Sequence, residues 1–321
     1  APRAVGRQGA SFGCGDRLGT AGAGQLQAVS RAEVVPVLAQ QSLRELSLTG
    51  RSYDDVMDAA AWAVFKSGYK KGYGADGDHL KNLEEIEAAV NHGVSMITLD
   101  CSLVLGDRPE SEAQCRALYQ NIPKSCRNEL EEEYLQKDFG NLGVVFGQRS
   151  LERTVVVYKD AVELAQAAYQ MLKRSGRQID LEISLDETDH RTDLKAHYFV
   201  ANELRRRNVV INSIAPRFVG EFQKAVDYIG EVEAFRANLR GHCRIADYFG
   251  HKISVHSGSD KFRVFPVVAE ETKGRFHLKT SGTSWLEAVR VIAQIEPALY
   301  RDMHKTAAAN YQKAGAYYKV D

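Results

Sequence analysis

Short apolar runs alternate along this chain with amphipathic stretches of helical period. The runs predict strands at Ala10–Cys14, Val34–Gln40, Gly72–Asp76, Ser95–Leu99, Ile179–Leu185, Val209–Ile214, Lys252–Val255 and Arg275–Lys279. Between them the pattern predicts helices over Tyr53–Lys66, Leu83–His92, Asp160–Arg174, Asp193–Arg206, Val232–Phe249 and Ser284–Tyr311. Start signals support several of these: Asp54 or Asp55 ahead of Val56-Met57, Asp160 ahead of Ala161-Val162, and Ser284 ahead of Trp285-Leu286. Strands alternating with helices imply parallel pairing through crossover helices. Eight such strands close most economically into an α/β fold of the (β/α)8 TIM-barrel type. The first strand has the least apolar content. Residues 106–149 break the rhythm, being charged, with Glu131-Glu132-Glu133 and two cysteines. They read as an insertion after the fourth strand, a lid or small subdomain, within a single barrel domain over 1–321.

Composition narrows the function classes. Lys+Arg and Asp+Glu balance at 42 each, so no basic face is implied and nucleic acid is not an expected partner. No apolar stretch approaches the ~18 residues that span a bilayer, and Ala1 to Ala10 lacks the apolar core of a signal peptide. The five cysteines are odd in number and widely spaced, which suits reduced thiols in a cytoplasmic protein. Cys115 and Cys126 have no second Cys/His pair nearby to complete a structural zinc site. The expected partner is a small molecule, with a homo-oligomer left open.

In a barrel of this type the chemistry gathers at the C-terminal strand ends. The residues on or just past the proposed strands are Asp16/Arg17, Gln40/Gln41, Asp78/His79, Asp100, Glu182/Asp186, Arg217, His256/Asp260/Lys261 and His277/Lys279. His79, His256 and His277 fall on three different strands. Neutral imidazole is the commonest ligand for divalent transition metals, and three leave a position open for substrate. A lone strand-end histidine is more often a hydrogen-bonded structural residue, and His92, His242 and His251 fit that description. Asp100 suits a fourth ligand or a cap on the loop at Cys101-Ser102. Glu182, Ser184 and Asp186 share one face by the period of two. Glu182 reads as a general acid/base or as a buried ion pair with a lysine such as Lys279. Lys279, Arg217, Lys261 and Arg17 offer positive charge to an anionic substrate group. Gly72-Tyr73-Gly74 is too short for a phosphate loop, and nothing resembles a dinucleotide fingerprint, so a redox cofactor is disfavoured.

Several long motifs resemble the tagaturonate/fructuronate epimerase family. They are Phe12-Gly13-Cys14-Gly15-Asp16-Arg17-Leu18-Gly19, Ala39 to Leu46, Gly72 to Lys81, Leu185-Asp186-Glu187-Thr188-Asp189, Ala215 to Phe222, His256 to Phe262 and Lys279 to Ser284. The resemblance covers most of the chain outside the expected insertion. It implies a divalent-metal enzyme that interconverts D-tagaturonate and D-fructuronate, although some relatives act on neutral fructose and tagatose. Carried onto this chain, it makes His79, His256 and His277 the ligands of a divalent cation (Zn, Mn, Ni or Co). Asp78 becomes the proton acceptor and Glu182 the donor. On the substrate side stand Arg17, Gln41, Asp100, Arg217, Ser257, Asp260, Lys261 and Lys279. Family chains extend further at both ends, so a trimmed chain is expected, with breaks around Thr20–Gln25 and within Gly106–Arg149. The rival readings are a metal-dependent aldolase of class II type, an epimerase of neutral ketohexoses, and a non-catalytic sugar-acid binder with structural zinc.

Overall fold

Eight parallel strands close on one another in sequence order, with β1 completing the ring against β8. They are β1 (Ala10–Gly13), β2 (Val34–Ser42), β3 (Gly74–Leu80), β4 (Met96–Asp100), β5 (Asp180–Leu185), β6 (Ser213–Pro216), β7 (Lys252–Val255) and β8 (Phe276–Lys279). The computed structural model describes residues 1–315 apart from 107, 108, 110 and 189. Asp107, Arg108 and Glu110 of the expected insertion, the motif residue Asp189 and the chain end Lys319–Asp321 therefore lie outside the described residues.

Two strands shift from expectation. β3 continues past Asp76 to Leu80, which brings Asp78 and His79 inside the strand. β6 begins at Ser213, because the chain turns through Asn208 at φ +57° and buries Val209 and Ile211 as plugs of the main core. Helices Tyr53–Lys66 and Val232–Phe249 match the hydrophobic pattern. The first is capped by Ser52, whose hydroxyl accepts from Asp55 N while the Asp55 carboxylate accepts from Ser52 N. The helix expected from Asp160 starts at Gln148, since buried Leu151, Thr154 and Val155 carry the apolar stripe back two turns. The C-terminal helix divides into Trp285–Ile295, Pro297–Ala309 and Tyr311–Gly315. Pro297 has no amide proton to continue the first piece. Within 106–149, helices Glu112–Gln120 and Lys124–Leu135 send Tyr119, Leu130 and Tyr134 into the main core beside Val155.

The apolar core lies outside the barrel wall, between strands and helices. The lumen is polar instead. Ser11 pairs in register with His277, Thr98 with Glu182, Glu182 with Ser213, and Gly13 with Lys279. Barrel lumens are ordinarily packed with branched apolar side chains. A β-bulge between Val37 and Ala39 turns β2 over, so that Gln40 faces inward in register with Asp76. A Cβ on Gly13 would sit inside the Gln40 amide, which explains the glycine there. The five cysteines form no disulfide. Among the described residues no helix is long and apolar enough to cross a membrane.

Candidate active site

At the C-terminal ends of β3 and β7, two imidazoles approach each other with ring centroids 5.0 Å apart. They belong to His79 and His256. His79 holds a left-handed backbone at φ +57°, as does Ser257 next to His256 at φ +49°. Such conformations persist where the surroundings over-determine them, and they concentrate at functional sites. Each ring is gripped from behind by a carboxylate. Asp78 Oδ1 lies 2.8 Å from His79 Nδ1, and Glu182 Oε1 lies 2.8 Å from His256 Nε2. The opposite nitrogens face acids across the site: His256 Nδ1 is 3.0 Å from Asp186 Oδ1, and His79 Nε2 is 3.8 Å from Glu187 Oε1. Ligand atoms of His79, Asp186 and His256 all lie within 4.8 Å of one another, which makes these three a candidate metal site. A carboxylate behind each ligating imidazole is the arrangement that fixes tautomer and ring orientation in metal centres.

Charge in the site is strongly coupled. Burial pushes the Asp78 and Glu182 carboxyls up, yet Lys279 and the imidazoles outweigh it and hold both well below the usual range. Burial alone would lower His256, but Asp186 and Glu182 raise it to about 10, while Asp186 falls to about 2. Without a metal ion, a proton on His256 balances these carboxylates. A divalent cation would supply the same positive charge and bind the neutral rings. The donor set of two imidazoles and a carboxylate, open on one side, fits that role.

Lys279 is the hub beneath the rings. Its ammonium contacts Asp78, lies 2.7 Å from Asp76 Oδ2 and 2.6 Å from Thr98 Oγ1, and sits 3.8 Å from Glu182 Oε1. Burial pushes the Asp76 carboxyl up, with Lys279 offsetting part of the rise. Ser213 Oγ donates to Glu182 Oε2 at 2.5 Å. The expected ion pair between Glu182 and Lys279 is therefore present, at 3.8 Å and longer than the 2.8 Å contact with His256.

The structure gathers some expected residues and separates others. His277 lies deeper in the lumen, its Nδ1 2.9 Å from Ser11 Oγ and its buried Nε2 without a hydrogen-bond partner among the described residues. Asp186, not His277, completes the cluster with His79 and His256. Burial lowers His277 to about 3, so that ring is neutral and able to accept a cation or a proton donor. Glu182 is fully buried behind His256, whereas Asp78 borders the cavity. Gln41, one residue past the inward Gln40 and in register with Gly77, borders neither cavity, and its buried amide has no hydrogen-bond partner among the described residues. Gln40 takes the inward position.

Lys261 is also withdrawn from the cavity. Its ammonium donates to the carbonyls of Gln223 at 2.6 Å, Val226 at 2.5 Å and Ser259 at 2.9 Å, using all three protons. Asp260 accepts from Thr283 Oγ1 at 3.3 Å. Asp100 lies 3.4 Å from Lys81 and caps Ser102 N, so the capping alternative holds for it.

Two cavities meet over the rings. The smaller, of 230 Å³, is walled by Asp78, His79, His256, Asp186, Asp100 and Lys279. The larger, of 790 Å³, opens outward past Arg17, Arg217 and Ser257. Asp186, Glu187, Arg44, Lys224, His256 and Ser257 border both. The sequence signal for Asp186 is its place two residues beyond the inward Ser184. Arg44 stands two residues past β2, in the first turn of the helix Leu43–Thr49, whereas Lys224 carries no periodic or strand-end signal, because it comes from the long loop after β6.

The chain matches the description of tagaturonate epimerase over residues 1–321. It is 39% identical over 315 residues to the tagaturonate/fructuronate epimerase of Thermotoga maritima, covering 97% of this chain and 65% of that protein. A crystal structure of the fructuronate-tagaturonate epimerase UxaE from Cohnella laeviribosi superposes with a TM-score of 0.96 at 49% identity, covering 100% of this chain and 66% of that one. The chain thus spans just under two thirds of the length of these relatives. The YdjI aldolase of Escherichia coli shares the barrel fold alone, at 14% identity and TM-score 0.51, over 97% of this chain and 91% of that one. With this fold, these motifs and these matches along its whole length, the chain belongs to the tagaturonate epimerase family.

Proposed function

We propose that this chain carries the active site of a metal-dependent epimerase that interconverts D-tagaturonate and D-fructuronate by retro-aldol cleavage and re-addition. The observation that supports it most is the convergence of His79, Asp186 and His256 at one cavity wall with Asp78 and Lys279 alongside. The two ketouronates differ at the carbon β to the ketone, whose C–H is not acidified by the carbonyl, so enolisation alone does not invert it. A divalent ion held by His79, Asp186 and His256, when bound, supplies Lewis-acid polarisation of the ketone and a neighbouring hydroxyl. Asp78, held as a carboxylate at the cavity wall, is placed to take the proton from the β-hydroxyl as the bond between the α and β carbons opens. A three-carbon enediolate and a three-carbon aldehyde result. The aldehyde turns, the enediolate carbon attacks its other face, and the proton returns from Asp78 to the new alkoxide. Glu182 acts through His256 by fixing the ring, while Lys279 keeps Asp78 ionised. Enclosure at the cavity holds the fragments together between the two steps.

The test is to strip divalent metal with chelator, restore single ions, and follow D-tagaturonate by NMR. Appearance of D-fructuronate only with metal is the expected result. Release of three-carbon fragments without the epimer would replace this reading with an aldolase. Solvent deuterium in the inverted carbon would replace retro-aldol cleavage with direct deprotonation.

A further inference from the structure

Beside Asp186 and His256, the wall shared by the two cavities carries Arg44 and Lys224, which the site above does not use. Arg17 and Lys224 approach one buried carboxylate, Glu45, the chain neighbour of Arg44. Arg17 Nη2 lies 2.6 Å and Lys224 Nζ 4.0 Å from Glu45 Oε1. All three cations act electrostatically on Glu45. Arg44 and Lys224 line both cavities, the smaller of which also holds Asp78, His79 and His256.

The position of Lys224 is built. It rides on the loop after β6, pinned by the bridge in which Glu221 and Ile229 exchange backbone hydrogen bonds of 2.9 and 3.3 Å. Fully buried Lys261 ties the carbonyls of Gln223 and Val226, on either side of it, to Ser259 beyond β7. Burial lowers the Lys224 ammonium below its usual value, Glu45 opposes the shift and Arg44 and Arg17 add to it, so an anion arriving beside it would favour the charged form. A cation cluster on a partly enclosed wall, within one cavity of the metal-ligand set, suits a small carboxylate.

We propose that Lys224 and Arg44, backed by Arg17, bind the carboxylate of the substrate and set the preference for a sugar acid over a neutral ketose. The inference rests on the epimerase reading for which end of the molecule reaches His79 and His256. A charge-assisted hydrogen bond contributes ~1.5–3 kcal/mol, a ~10–150-fold effect on affinity. The experiment uses the full chain, wild type and the double variant Lys224→Gln/Arg44→Gln. It compares calorimetric Kd and kcat/KM for D-tagaturonate and D-tagatose, with thermal midpoint and metal content as checks of integrity. The expected result is a Kd and KM for D-tagaturonate raised at least ~10-fold, with kcat and D-tagatose binding within threefold of wild type. Lys224→Arg should recover most of the loss. Uronate binding within threefold of wild type, or equal losses for both sugars, would overturn the proposal. Discriminating binding by a protein that shows no turnover would end the epimerase reading and leave this carboxylate site standing.

Discussion

Three histidines remote from the barrel mouth carry a pH prediction. His197 Nδ1 lies 2.9 Å from His242 Nδ1, and His197 Nε2 lies 2.8 Å from His251 Nε2. All three rings are buried. Each nitrogen pair needs one N–H and one bare nitrogen, which neutral rings supply, so no added proton is required and burial disfavours one. Burial lowers His242 to about 4 and His251 to about 3, and it takes His197 well below its ordinary value. The edge of Phe218 on His242 and the stacked face of Phe249 on His251 keep the surroundings apolar, and Arg275 and Arg7 further oppose charge on His251. In the unfolded chain such rings protonate near pH ~6.5. Between that value and the folded ones the unfolded state binds more protons. Stability is therefore full above about pH 6.5 and lost as pH falls. From pH 7.5 to 5, His242 and His251 each forfeit about 2 kcal/mol, or ~4 kcal/mol together.

The perturbation is His251→Gln, which deletes one of these titrations. The variant should be less stable at pH 7.5, yet its further loss on going to pH 5 should be smaller than that of wild type by about 2 kcal/mol. His79 and His256 have raised values and contribute with the opposite sign across this window. The readout is accordingly the difference between the two proteins, both treated with chelator. Urea midpoints at the two pH values, with unchanged slope, report it. Equal losses for both proteins would refute the reasoning. So would an NMR titration placing folded His251 near pH ~6.5.

Three further outcomes test the lumen. Lys279→Met strips the shared cation from Asp76, Asp78 and Glu182 and should destabilise by ~3–5 kcal/mol in urea unfolding; a change under ~1 kcal/mol would show that the ammonium is not the hub. Glu182→Gln should weaken metal affinity or turnover by ~10–100-fold, measured by metal titration and NMR, and unaltered values in both would dismiss its orienting role. Asp186→Asn should lower metal stoichiometry, measured by elemental analysis, while His277→Gln should leave it near wild type. The reverse pattern would restore the three-histidine ligand set.

Strand–helix alternation, the helix Tyr53–Lys66 with its Ser52 cap, and the helix Val232–Phe249 were legible because they depend on local periodicity and local hydrogen bonds. So was the gathering of His79 and His256, since consecutive strands of a barrel end at one rim. The stripe from Leu151 to Val155 was equally local, but the capping signal at Asp160 masked it. Other features depended on closure. The inward turn of Gln40 follows from a bulge that periodicity of two does not reveal. The depth of His277, the sealing of Glu182 behind His256 and the three carbonyls around Lys261 depend on chain segments far apart in sequence. The corner of Arg17, Arg44 and Lys224 is built from a loop, a short helix and a second loop brought together only when β1 and β8 meet. The sequence by itself determined which residue types stand at strand ends and therefore which chemistry is available. Tertiary structure decided which of them face the cavity and which charges are balanced, because charges couple through distance and burial, and neither is a local property of the chain.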